Sequence, residues 1–234
     1  MTARNMMRRV PPPRKRPAPD STSEIRRRSM SPAYWPQAVA HLSASDDILA
    51  RIIAAFPSER LVCREDPFGT LARSIVGQQI SVKAASSVWQ RLEGALGELS
   101  EESVEGAPGD ALLGCGLSRQ KLRYLKDLAG HFASGAIDPS RWSDMDDEQV
   151  ISELTTVKGI GRWTAEMFLI FNLMRPDVLP LDDIGLQRAM GLHYRGEGKL
   201  ERKEMESVAA PWQPWRSVAT WYLWRSLDPL PVEY

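Results

Sequence analysis

The sequence is short of cysteine, histidine and long apolar runs, and each shortage excludes something. Of 234 residues only Cys63 and Cys115 carry thiols, too few for a disulfide framework, a four-cysteine metal site or an iron–sulfur cluster. So few thiols fit a reduced, cytoplasmic setting. No stretch approaches the roughly 18 consecutive apolar residues of a membrane-spanning helix, and no apolar segment of a secretory signal stands near the start. Runs of alternating β-branched residues are missing, which argues against half-buried strands. What is present is ordinary for a globular chain, 43% hydrophobic and 26% charged, long enough for one large domain or two small ones with a real core.

Thirty basic residues balance thirty acidic ones, but unevenly. Residues 1–30 hold nine basic and two acidic side chains, a net of +7, so residues 31–234 hold 21 basic against 28 acidic, a net of −7. With Pro11, Pro12, Pro13, Pro17 and Pro19 and almost nothing to bury, the first 30 residues read as a disordered basic tail. It is a solvated arm or, alternatively, one that adds phosphate contacts. Its proline density argues against the amphipathic helix of a transit peptide. Residues 31–234 are then the folded domain.

From Ser31 onward the apolar spacing is helical almost everywhere. Ser45 is placed to cap a helix with Asp46 and Asp47 in its first turn and Ile48, Leu49, Ile52, Ile53 and Phe56 on one face. Pro67 opens another, with Phe68, Leu71, Ile75 and Val76 inward. Ser81 caps a third, with Val82, Ala85, Val88 and Leu92 in register, and Ser118 a fourth that Gly135 stops. Residues 146–156, 162–174, 183–193 and 214–226 continue the pattern. The fold class is all-α, in two helical lobes.

The stretch Leu154-Thr155-Thr156-Val157-Lys158-Gly159-Ile160-Gly161-Arg162-Trp163-Thr164-Ala165 sets a tight turn between two helical patterns. Glycines there permit positive φ and leave no Cβ between the amides and an incoming anion, toward which the next helix points its N-terminus. A dinucleotide fingerprint needs a strand before its glycines, and none precedes these. A helix-hairpin-helix gripping a nucleic-acid phosphate is the remaining reading. Downstream, Pro180-Leu181-Asp182-Asp183 puts two carboxylates at the mouth of a further helix. By themselves they read as capping residues.

Together these segments resemble the helix-hairpin-helix-Gly/Pro-Asp DNA glycosylases, and within them the 3-methyladenine DNA glycosylase II branch of the AlkA type. The likeness runs from about Pro67 to Leu227. It is carried by the hairpin, the Asp182-Asp183 pair, Ile75-Val76-Gly77-Gln78-Gln79-Ile80-Ser81-Val82 and Pro211-Trp212-Gln213-Pro214-Trp215-Arg216-Ser217. The resemblance implies two α-helical lobes with the hairpin and a catalytic aspartate at the cleft between them. Asp183 matches that aspartate, which stabilises positive charge on the sugar at C1′, and Asp182 is left as an N-cap or helix-start charge. His41, His131 and His193 lie outside the matching motifs, so no histidine acid is implied.

Trp163 stands where strand-nicking relatives carry a Schiff-base lysine. The resemblance therefore implies a monofunctional hydrolase of alkylated bases in damaged double-stranded DNA, with Trp163 and Trp224 against the extruded base. A cationic base over an indole gains a further ~0.5–2 kcal/mol. Trp35, Trp89, Trp142, Trp212 and Trp221 are left to core, packing or rim. Gln79 falls at the position of the wedge that fills the vacated base stack, and reads equally well as an ordinary helix residue. Gln78, Lys158, Gly159, Gly161, Arg162 and Thr164 match the DNA grip, and the carbonyls of Thr155, Val157 and Ile160 match a monovalent-cation site. No cofactor is otherwise implied, and no dimerisation segment is seen, which reads as a monomer. Arg216 has two readings, a DNA contact or an ion pair. Two departures stand out: the β-rich N-terminal lobe of some relatives is missing, and the folded part is acidic. The alternatives are a non-catalytic DNA-binding module in which Asp183 only caps its helix, and a glycosylase for another lesion class.

Overall fold

A computed structural model describes residues 31–58, 60–196 and 198–227. The basic proline-rich tail inferred for residues 1–30 lies outside the described residues. Among the described residues twelve α-helices follow one another: α1 (Trp35–Ser45), α2 (Asp47–Ala55), α3 (Pro67–Gly77), α4 (Val82–Leu96), α5 (Glu101–Gly106), α6 (Gly109–Gly114), α7 (Arg119–Ala133), α8 (Asp147–Leu154), α9 (Arg162–Phe171), α10 (Ile184–Arg195), α11 (Arg202–Ala209) and α12 (Arg216–Leu227). Two short 3₁₀ turns, Pro139–Asp144 and Ala210–Trp212, complete the order. Among the described residues there is no strand, and no helix is long and apolar enough to cross a membrane.

Packing sorts the helices into two lobes. Both ends of the chain build one: α1 and α2 pair with each other and lie against α12, which in turn packs on α10. The middle of the chain builds the other, with α3 against α4 and α7, α5 and α6 against α7, and α9 against α8 and α3. Two helices are buried nearly all round, as elements clasped between others must be. These are α9, buried from Thr164 to Phe171, and α12, buried from Ser217 to Arg225. Their ends meet where Phe171 stacks on Trp224, centroids 5.7 Å apart and rings 11° from parallel. Trp35, Trp89, Trp142, Trp212 and Trp221 are all core residues.

Two caps sit one residue from where the spacing put them, and the first is at α2. Ser45 ends α1, and Asp46 caps α2 through Oδ1, which accepts the amides of Ile48 (2.9 Å) and Leu49 (3.0 Å). A short hydroxyl and a carboxylate stood side by side; the carboxylate has a second oxygen to use. Asp46 Oδ2 accepts the Tyr194 hydroxyl (2.7 Å) and the Trp212 Nε1–H (2.9 Å), which ties the start of the lobe to its end. Burial and this carboxylate hold the Tyr194 phenol far above its ordinary range. Val82, placed inward by its register, is 68% exposed. It lies in the open first turn of α4, ahead of the buried Val88, Trp89 and Leu92.

Asp46→Ala removes a cap and leaves two donors without an acceptor, which together cost about 2–4 kcal/mol. Urea unfolding of Asp46→Ala against the unaltered chain measures this, and a loss below about 1 kcal/mol would remove Asp46 from that role.

Candidate active site

The second shifted cap opens α10. Asp183 has extended backbone, φ −74° and ψ 119°, so it and not Asp182 is the N-cap. Asp182 is exposed and paired with Arg202 at 2.9 Å. Asp183 is 4% exposed, and donors from three helices converge on it. The Leu186 amide (2.6 Å) and Trp224 Nε1–H (2.7 Å) donate to Oδ1, and Trp163 Nε1–H (2.9 Å) donates to Oδ2. A carboxylate has about four acceptor directions. Three are taken, which leaves one on Oδ2. The Leu186 amide also sets the carboxylate at the N-terminal end of α10.

The two indoles on this carboxylate differ in exposure. Trp163, in the first turn of α9, is 36% exposed, so its ring stands at the surface while its N–H holds Asp183. Trp224 is 7% exposed, backed by Phe171 and lying over Gly185. It meets the site through the carboxylate. A Cβ at Gly185 would sit 3.0 Å from Asp183 Oδ1 and 3.1 Å from Trp224 Cδ1, so glycine is what lets that bond close.

The hairpin between α8 and α9 runs from Thr155 to Gly161. Gly159 has φ +87°, and a Cβ there would fall 2.2 Å from the Tyr124 ring; both facts require glycine. Gly161 caps α9 with no side-chain hydrogen bond, so the first-turn amides stay open to an anion. Thr164 is buried, at 6% exposure, which leaves only its amide to face a ligand. Within the described residues the Val157 carbonyl accepts the Ile160 amide (3.1 Å), while those of Thr155 and Ile160 accept none.

The hairpin's cations already have partners. Lys158 Nζ donates to Asp127 Oδ1 (2.7 Å) and its amide to Oδ2 (2.8 Å). Burial would raise the Asp127 carboxyl, but these Lys158 contacts outweigh it and hold the group below its usual range. Arg162 donates to Glu166 Oε1 (3.0 Å) and forks onto Glu148. Burial pushes the Glu166 carboxyl up, against the pull of Arg162. Arg216, one of the residues with two readings, is ion-paired with Asp177 through Nε (2.7 Å) and a terminal nitrogen (2.9 Å). Beside the hairpin an open groove of ≈ 630 Å³ is lined in part by Arg123, Lys126 and Lys158. Another of ≈ 510 Å³ along α10 carries Arg188 and Lys199. The acidic domain thus keeps basic residues in the lining of both grooves.

Gln79 is exposed at the tip of the turn between α3 and α4, with φ +59°, and Ile80 and Val82 beside it are 40% and 68% exposed. Gln78 does not stand free: its Nε2 donates to the Gly159 carbonyl at 2.7 Å. The roles of Gln78, Tyr124 and Asp127 had no local signal, because each contact joins distant parts of the chain. The Arg162–Glu166 pair did have one, the i,i+4 spacing.

Fold and site together define a helix-hairpin-helix protein of DNA repair. Residues 72–214 match the HhH-GPD superfamily of base excision DNA repair proteins, and this chain belongs to that superfamily. It is 30% identical over 197 residues to DNA-3-methyladenine glycosylase 1 of Schizosaccharomyces pombe, covering 81% of this chain and 86% of that one. Identity to DNA-3-methyladenine glycosylase 2 of Escherichia coli is 30% over 188 residues, 75% of this chain and 63% of the other. Among solved structures, the DNA-3-methyladenine glycosidase of Bacillus halodurans superposes with a TM-score of 0.73 at 36% identity, covering 81% and 88% of the two chains. The S. pombe 3-methyladenine DNA glycosylase in complex with abasic DNA gives 0.71 at 29%, covering 81% and 96%.

Gly185→Ala forces Asp183 and Trp224 apart by a few tenths of an ångström, which slows base release about tenfold in single turnover. Affinity for duplex DNA stays within about twofold, since no phosphate contact changes. An unchanged release rate would contradict the tight fit at Gly185.

Proposed function

We propose that this chain is a monofunctional DNA glycosylase: acting as a monomer on damaged double-stranded DNA, it extrudes an alkylated base of the 3-methyladenine kind and hydrolyses its N-glycosidic bond. The observation that carries the reading is the Asp183 carboxylate, fixed by two indole N–H groups and a helix amide, with one acceptor direction left on Oδ2. The names of the relatives support the substrate class.

In the reaction the C1′–N bond breaks and its electron pair leaves with the base. An N3-alkylated adenine is cationic and departs neutral, so it needs no acid. Positive charge grows at C1′, and a fixed carboxylate beside it stabilises that charge without reorganising. Water adds to C1′ and its proton goes to the open Oδ2 position or to solvent, leaving an abasic site. Trp163 has no amine, so no Schiff base forms and the strand stays intact. Its exposed ring offers an aromatic face to the extruded cation. Extrusion costs a few kcal/mol, and Gln79, exposed at the turn, would fill the gap.

The hairpin grips a phosphate through the amides of Gly159, Gly161 and the first turn of α9. The carbonyls of Thr155, Val157 and Ile160 supply neutral oxygens, two of them accepting no hydrogen bond among the described residues, a donor set that suits a monovalent cation. Such an ion would screen the phosphate.

The competing reading, a binding module whose aspartate only caps α10, is weakened by the same geometry. Capping needs Oδ1 and the Leu186 amide, and does not account for the Trp163 bond to Oδ2.

Asp183→Asn separates the two, because asparagine caps helices as well as aspartate. We expect base release from alkylated duplex DNA to fall at least about 100-fold while abasic-duplex binding persists. The unaltered enzyme should give strand breaks only after alkali. Full activity in Asp183→Asn, or breaks without alkali, would overturn the mechanism.

A further inference from the structure

We propose that α7 is a jig: its Lys121, Tyr124 and Asp127 hold the wedge turn and the phosphate hairpin in one register, and Gln78 ties the two loops together. Gripping a phosphate then also aims the turn at the base stack. The inference rests on the glycosylase reading above and adds how its two DNA-facing loops are coupled.

Lys121, Tyr124 and Asp127 stand three residues apart and so follow one another along a single face of α7. Each serves a different loop atom. Lys121 Nζ donates to the Val76 carbonyl at 2.7 Å, an orphan acceptor at the negative end of α3, just before the Gly77–Ile80 turn. The Tyr124 ring occupies the space a Cβ on Gly159 would need, so it seats the hairpin at its glycine. Asp127 takes both the amide and the ammonium of Lys158, fixing the residue before that glycine.

Gln78 closes the circuit. Its Nε2 donates to the Gly159 carbonyl at 2.7 Å, across 81 residues of sequence. The neighbouring Gln79 has φ +59°, a conformation that a side chain holds only when its surroundings fix it. Here Gln78 anchors one side and Ser81, capping α4 through the Ala84 amide (3.3 Å), anchors the other. Gln78, Lys121, Tyr124 and Asp127 are therefore positioning residues. They act on DNA through the turn and the hairpin.

The test uses the full chain and four forms: unaltered, Gln78→Leu, Lys121→Met and the double variant. The probe is a duplex with 2-aminopurine beside a tetrahydrofuran abasic analogue. Anisotropy reads binding and its salt slope, and the fluorescence gain reads unstacking. Each single variant should bind within about threefold of the unaltered protein with an unchanged salt slope, since no phosphate ligand is lost. The fluorescence gain should fall at least about fivefold in each, and the double variant should be no worse than the poorer single one, as for residues acting in one unit.

Wild-type unstacking in Gln78→Leu overturns the proposal. So does a loss in Gln78→Leu with none in Lys121→Met, which would make Gln78 a direct DNA contact. Additive losses with a shallower salt slope in Lys121→Met would make Lys121 a phosphate ligand and overturn it too. If the unaltered protein unstacks the probe but releases no alkylated base, the proposed function fails, and the fluorescence still decides the coupling.

Discussion

Three hydrogen bonds to the Asp183 carboxylate set the constraint that the rest of the structure serves, because their donors come from both lobes. Trp163 rides on α9 of the middle lobe, while the Leu186 amide and Trp224 belong to α10 and α12 of the lobe built from the chain ends. A carboxylate buried to this degree would be costly without such donors. With them, it is stable only where the lobes meet correctly. The near-complete burial of α9 and α12, and the Phe171–Trp224 stack between them, follow from the same requirement.

A domain with a net charge of −7 over residues 31–234 that binds a polyanion must manage its electrostatics locally. In the proposed reading the hairpin does so through open amides from glycines and a helix N-terminus, while its cations are anchored internally. Lys158 leans on Asp127, and Arg162 on Glu148 and Glu166. These pairs give up some free positive charge in exchange for a fixed hairpin. The basic residues lining the two grooves, Arg123 with Lys126 and Arg188 with Lys199, are where long-range attraction to DNA can arise.

Much of this was legible in the residues. Helical spacing marked the long helices, and the glycine hairpin is a short motif with a local signal, whereas the aspartate pair by itself read as capping and took its candidate role from the resemblance. Adjacent cap formers misled by one position: Ser45 beside Asp46, Asp182 beside Asp183. In both cases the residue with long-range partners for its second oxygen became the cap, and sequence spacing carries no record of those partners. Val82 kept its helical register but had nothing packed over it. Short α5 and α6, six residues each, are below the length at which periodicity speaks. The Lys121, Tyr124 and Asp127 face of α7 carried no local signal, since its contacts with Val76, Lys158 and Gly159 lie far away in sequence.

The central claim is that an indole from one lobe holds a catalytic carboxylate of the other. The most direct measurement is single-turnover base release from an alkylated duplex by Trp163→Phe, alongside its affinity for an abasic duplex. Phenylalanine keeps an aromatic ring, though a smaller one, and loses the N–H that reaches Oδ2. The account predicts release slowed by about tenfold or more with affinity within about twofold. Release at the unaltered rate would mean that Asp183 does not depend on the lobe contact, and would contradict it.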